Sequence, residues 1–298
     1  MQSHLGAARA TAALAVVVAA GAAGCSSSGG SLGSSSSGSS GSGMSATQEL
    51  GATLQNTQSV KSFDSTIDMQ ASGLPTGTSG GSSGGTMTMA GSFSEQRQPN
   101  VTMQFNASTL EAAGQNVGPM DEVITPSAIY FKMQAMSSMM SPGKSWMEIP
   151  LSSLKSGEGA GLSQLIGQAQ TSNPLSQAQL LAGATNVKTV GTSTMDGTKV
   201  TELAGSEPVS AALGKLPSSL RSSVGKQIQT LGISEIKFQV WADGQHNIRK
   251  MVVNETGGSA SMKVTMTINS LNQPVNISVP SSSEVQQIPS SDLNGGGM

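Results

Sequence analysis

The chain has 298 residues, a formal net charge of −2 and only 11% charged residues. With no basic run to hold phosphates, nucleic acid is excluded as an expected partner. Aromatics make up 3% and there is one cysteine, so no disulfide can form within the chain and the core must come from Val, Ile, Leu, Ala and Met; a chain of this length can bury enough apolar surface for one large domain or two small ones.

The first feature is an apolar run, Ala10 to Ala23, preceded by Arg9. It is shorter than the about 20 residues that a bilayer-spanning helix needs, and its flanks are those of a cleaved export signal. The run ends in Ala22-Ala23-Gly24-Cys25, which resembles a bacterial lipoprotein signal with its lipobox. In such signals the cysteine receives a diacylglyceryl group and the preceding peptide is removed, so the resemblance implies lipidation at Cys25. Acyl chains anchor firmly when there are two or more, each buried methylene adding about 0.8 kcal/mol. Ser26 to Gly43 is almost wholly Ser and Gly, a composition with nothing to bury. The expected organisation is a signal peptide over 1–24, a lipidated cysteine and Ser/Gly tether over 25–45, a folded domain over 46–281 and a disordered polar tail over 282–298. The expected location is the extracytoplasmic face of a bacterial cell membrane.

Leu50, Leu54, Thr57 and Val60 fall at helical spacing and predict a first helix. Period two follows. Phe63, Ser65, Ile67, Met69 and Ala71 share one face, as do Met87, Met89, Gly91 and Phe93, and then Val101, Met103, Phe105 and Ala107. Three such one-sided strands predict an antiparallel meander covered on one side. A Gly/Ser loop, Pro75 to Gly85, separates the first two. Val123–Ile124, Ile129–Met133 and Trp146–Ile149 continue the sheet.

In the middle, Leu162, Leu165, Ile166 and Ala169 return to helical spacing, Asn173-Pro174 breaks it, and Leu175–Leu181 predicts a short helix. Asp196-Gly197 between Val187–Val190 and Val200–Leu203 signals a hairpin. Val209–Leu231 reads as a longer helical stretch marked by Pro217. The last strands carry Ile236, Phe238 and Val240; Ile248 to Val253; Met262, Val264, Met266 and Ile268; and Val275, Ile277 and Val279. With no helix between most strands, a parallel doubly wound sheet is excluded, and an α+β domain with a large antiparallel sheet and helices on its apolar face is expected.

The strings Val240-Trp241-Ala242-Asp243, Ile248-Arg249-Lys250 and Leu271-Asn272-Gln273-Pro274-Val275-Asn276-Ile277, with the Val190-Gly191 … Asp196-Gly197 hairpin, resemble the LppX/LprAFG-type bacterial lipoproteins, relatives of the LolA/LolB-like carriers. The resemblance implies a curved antiparallel half-barrel closed on its concave apolar face by helices, with acyl chains held between. It implies a lipid or lipoglycan as ligand, no catalytic residues and no cofactor. It names no protein partner. The 17 Met against 5 Phe fit such a surface, because methionine adapts to varied apolar shapes. The candidate cavity-lining residues are Ile67, Met69, Met87, Met89, Phe93, Val101, Met103, Phe105, Phe238, Val240, Met262, Val264 and Met266.

Other chemistry is weaker. Met87-Thr88-Met89 and Met136 to Met140 offer thioethers to Cu(I), but no His or Cys stands near them in sequence. His246 lies in a predicted turn and reads as a solvated imidazole. Ser152 to Lys155 and Ser223 to Lys226 have Ser-x-x-Lys spacing, which chance supplies in so serine-rich a chain. Asp64 and Asp68 lack apolar neighbours that would raise a pKa. The competing class is a non-enzymatic surface module with a solid core that binds a protein or a polymer.

Overall fold

The computed structural model describes residues 44–74, 85–154, 178, 181–214, 221, 225, 229, 232–258 and 260–287. Cys25, the Ser/Gly tether, most of the Pro75–Gly85 loop, the helical stretch around Leu162–Ala169, Ser223 and Lys226 of the Ser-x-x-Lys string and the chain beyond 287 lie outside them.

Helix α1 (Ala46–Thr57) begins where Ser45 caps it. The Ser45 Oγ accepts from the Gln48 amide at 3.3 Å, and the Gln48 side chain accepts from the Ser45 amide at 2.9 Å, a reciprocal capping box. Leu50, Thr53, Leu54 and Thr57 form its buried face. The strands follow: β1 (Ser62–Leu74), β2 (Gly85–Gln96), β3 (Thr102–Ala112), β4 (Gln115–Asn116), β5 (Met120–Ile124), β6 (Ala128–Met133) and β7 (Trp146–Pro150). A 3-10 helix (Gln134–Met139) lies between β6 and β7 and another (Leu151–Leu154) follows β7; then come β8 (Thr185–Met195) and β9 (Thr198–Pro208), the short helix α2 (Val209–Gly214), β10 (Ile233–Asp243), β11 (Ile248–Gly257), β12 (Ala260–Leu271) and β13 (Val285–Gln287).

Among the described residues, thirteen strands form one open sheet in the order β13-β7-β6-β5-β3-β2-β1-β12-β11-β10-β9-β8, with β4 hanging on β3. Two antiparallel meanders meet where β1 pairs with β12. Bulges interrupt the register at Asp64/Ser65, Ala90/Gly91 and Trp241/Ala242, and bulges bend and twist a strand. At one of them glycine is required: a Cβ on Gly91 would lie 2.3 Å from the Asn106 carbonyl oxygen. Tight turns fall where the sequence signals them, with Asp196 and Gly197 both at positive φ.

The expected fold class is found: a large antiparallel sheet with helices on one apolar face. Leu50 and Leu54 of α1 join one contiguous core with Phe63, Phe93, Met103, Phe105, Leu203, Phe238, Val240, Met266 and Ile268, and Leu181 packs in beside them. We call this side of the sheet the inner face.

The C-terminal end differs from expectation. Val275, Ile277 and Val279 make no strand, and the polar end is not free from residue 282. The chain runs over the outer face, where the Ser278 amide donates to Gln104 Oε1 at 3.0 Å. Val123, opposite Gln104 in the ladder, is fully buried there. Val285–Gln287 then pairs parallel with β7, and Lys144 Nζ donates to the Ser282 carbonyl at 3.1 Å. Backbone amides at the sheet edge need partners whatever the side chains are, so a polar segment can be drawn into a ladder that hydropathy does not foretell. The predicted Val209–Leu231 helix is described as a helix only over Val209–Gly214 and at scattered later positions.

Candidate functional site: the inner face of the sheet

Register decides which side chains share a face. Phe63 lies opposite Leu271 and Glu95, Met69 opposite Val264 and Met89, and Ala71 opposite Met262 and Met87. Phe93 faces Phe105, and Met103 lies between Glu95 and Ile124. In the other meander Phe238 faces Val253, and Val240 faces Met251, which itself faces Met266. Every candidate lining residue named above falls on this inner face by register, except Val101, which precedes β3 and packs half-buried against the same core. Met69, Phe93, Met103, Phe105, Phe238, Val240 and Met266 are buried. Ile67, Met87, Met89, Met262 and Val264 are half-buried.

Gly205 explains part of the packing. A Cβ there would stand 2.7 Å from the Phe238 ring, so the glycine opens the space that the phenylalanine fills. Beside α1 a cleft of about 140 Å³ remains, floored by Leu50, Leu54 and Leu181 and rimmed by Gln55 and Gln58. A second hollow, about 490 Å³ and wide open, lies by β4 among polar side chains such as Ser108, Glu111 and Asn116.

The inner face also carries carboxyls that the sequence reading missed. Glu95 lies between Phe63 and Met103, Glu122 between Phe105 and Phe131, and Glu255 between Ile236 and Met262, while Glu207 faces Ile236 from the other side. Glu95 and Glu207 are completely buried. Neither carboxyl oxygen of Glu95 has a hydrogen-bond partner; Arg97 Nε approaches at 3.7 Å, with the Glu95 side chain 1% exposed. Burial pushes the Glu95 pKa up to about 8, and the Arg97 charge opposes that only partly. Burial alone lifts Glu122 to about 7, and it raises Glu255 as well. Among the described ladder positions of this face the one basic residue is Lys199, which is exposed at the start of β9, far from Glu95 in the strand order.

Strand parity could have found them. Glu95 continues the count Met87, Met89, Gly91, Phe93, and Glu122 sits between Met120 and Ile124.

His246 is not merely solvated. Its Nδ1 lies 2.9 Å from Glu49 Oε1, tying the β10–β11 turn to α1. Asn56 Nδ2 donates to Asn247 Oδ1 at 2.9 Å and to the Gln245 carbonyl at 3.2 Å. Buried Asp243 in turn accepts from the Gln245 and Asn247 amides, each at 2.9 Å. The helix is thus fastened to the sheet at one end by polar contacts and along its length by leucines. The outer face is polar, as expected: Asp64 accepts from the hydroxyls of Ser94 and Ser270.

Strands β8 to β12 lie within a stretch of the chain that matches a known family. Residues 176–277 match the LppX_LprAFG lipoprotein family. The LppX_LprAFG resemblance read from Val240–Asp243, Ile248–Lys250 and Leu271–Ile277 is thereby borne out over that segment. Among solved structures the chain is similar to LprF from Mycobacterium bovis, at 14% identity and TM-score 0.48 over 80% of this chain and 97% of that one. It is similar to the lipoprotein LppX from Mycobacterium tuberculosis at 19% identity and TM-score 0.43, over 78% and 98% of the two chains. A LolA superfamily protein from Nitrosomonas europaea aligns at 8% identity and TM-score 0.26, over 78% and 95%. No curated protein sequence matches the chain.

Proposed function

We propose that this protein is a membrane-anchored, extracytoplasmic lipoprotein that binds acyl chains against the inner face of its sheet and carries or presents lipids or lipoglycans in the cell envelope, without catalysing a reaction. The observation that carries this reading is the lipoprotein-family match over 176–277, which falls on strands whose inner side is methionine-rich and apolar. The anchor is Cys25, lipidated after removal of residues 1–24, with 26–43 as a tether. Burial of hydrocarbon at about 25 cal/mol per Å² would supply the affinity, so few polar contacts are needed. Entry requires α1 and its neighbours to part from the sheet.

The test is native mass spectrometry of the full chain carrying Cys25→Ser, after incubation with lipid vesicles and with a fluorescent fatty acid. Retained lipid at defined stoichiometry supports the reading; no retained lipid and no fatty-acid uptake rejects it. A second reading, a surface module that binds a protein or polymer, is favoured by one observation: the cleft beside α1 holds only about 140 Å³. That module would retain no lipid in the same experiment.

A further inference from the structure

Glu95 is the most costly side chain on the inner face. A carboxyl held without hydrogen bonds away from water loses the solvation it has in the unfolded chain, and an apolar residue of similar volume in its place would carry no such loss. Its oxygens have no hydrogen-bond partner, its side chain is 1% exposed, and it stands in a cross-strand row of Leu271, Phe63, Met103 and Ile124. Ser65, on the same face, satisfies itself by donating to the Phe93 carbonyl at 3.3 Å, so it offers no spare donor to the carboxyl. Arg97 touches Glu95 but sits past the end of β2, with its side chain 25% exposed. Among the described ladder positions the other charged groups of this face are Glu122, Glu207 and Glu255 and, exposed at the start of β9, Lys199.

A carboxyl in that setting can do two things for an apolar guest. It can exchange hydrogen bonds with a hydroxyl or an ester carbonyl, which in hydrocarbon surroundings lack water. It gives little to an anion, because an ionised group taken out of water needs a counter-charge, and the described ladder neighbours of Glu95 carry none; the nearby Arg97 lies past the end of β2 with its side chain 25% exposed. We propose that the ligand's buried portion is uncharged and bears a hydroxyl or ester, that Glu95 is the polar contact which holds it, and that the inner face excludes anionic groups. The inference rests on the lipid-binding reading and adds the chemical class of the lipid.

The experiment offers the full chain carrying Cys25→Ser equal amounts of diacylglycerol and phosphatidic acid with identical acyl chains in neutral phosphatidylcholine vesicles. Native mass spectrometry then reads which lipid is retained. Diacylglycerol should exceed phosphatidic acid by at least tenfold, and Glu95→Leu should cut retained diacylglycerol at least tenfold while its unfolding temperature stays at or above the parent's. Equal retention of the two lipids by the parent chain, or undiminished diacylglycerol on Glu95→Leu, overturns the assignment and leaves lipid binding standing. Retention of no lipid overturns the lipid-binding reading itself. The parent-chain comparison needs no variant, so it decides the matter even if Glu95→Leu does not fold.

Discussion

Glu95→Gln should change how stability depends on pH, and by a calculable amount. In the unfolded chain the carboxyl titrates near 4.5; in the folded protein burial moves it to about 8. Between those values the folded state holds a proton that the unfolded state has released, so stability falls as pH rises. The full contribution is present below 4.5 and gone above about 8. Each pH unit in that window removes about 1.4 kcal/mol, so about 5 kcal/mol is lost across it. Glutamine cannot titrate, so its slope lacks this part. It also buries an amide that needs partners, which lowers stability by an amount that does not vary with pH; the slope, not the level, is therefore the quantity to compare. Urea unfolding midpoints taken from pH 4 to 9.5 give both curves. The parent curve should fall more steeply than the variant's, by up to about 5 kcal/mol in total. Glu122 and Glu255 titrate in the same sense and are common to both proteins, so they cancel in the difference. Parallel curves would refute the reasoning, because they would mean that Glu95 meets water or a hidden donor in the folded state.

Gly205→Ala should lower stability by about 1–3 kcal/mol in thermal unfolding, since the new methyl group meets the Phe238 ring and the strand cannot easily yield. Leu54→Ala removes a buried contact between α1 and the sheet and should lower stability by about 2–5 kcal/mol, read by urea denaturation. Asn56→Ala unfastens α1 from the β10–β11 turn; a loss of about 1 kcal/mol is expected, and α1 amides should exchange hydrogen faster while β1 and β12 amides do not change. Cys25→Ser should move the protein from the membrane fraction to the soluble fraction of the bacterium and abolish incorporation of labelled fatty acid, measured by fractionation and autoradiography.

Much of the sheet was legible because period-two alternation is a direct imprint of one covered face. Phe63 to Ala71, Met103 to Ala107 and Met262 to Ile268 show it plainly, and their strands lie where the pattern puts them. The hairpin at Asp196-Gly197 was legible for a different reason, the need for positive φ at both turn residues. What escaped depends on distant partners. Glu49 and His246 meet across 197 residues, and nothing local announces that contact. The short strand β13 is polar and parallel, and it exists because β7 had an open edge. Glu95 escaped for a third reason. Its parity points inward, but a charged residue ordinarily marks the end of an apolar face, so hydropathy closed the strand at Phe93 one inward position too soon.

The junction of β1 with β12 has a consequence for how the molecule comes into being. Ser270 reaches Asp64 across 206 positions of chain, so the central seam cannot close until nearly everything has been synthesised. Until then the first strand presents a row of unmet amides and carbonyls beside an oily surface, which invites pairing with neighbouring chains. Contacts so remote in sequence make for slow maturation, measured in milliseconds to seconds or longer for such topologies. The nascent first half therefore needs either a companion that shields its seam or a dilution that keeps strangers away.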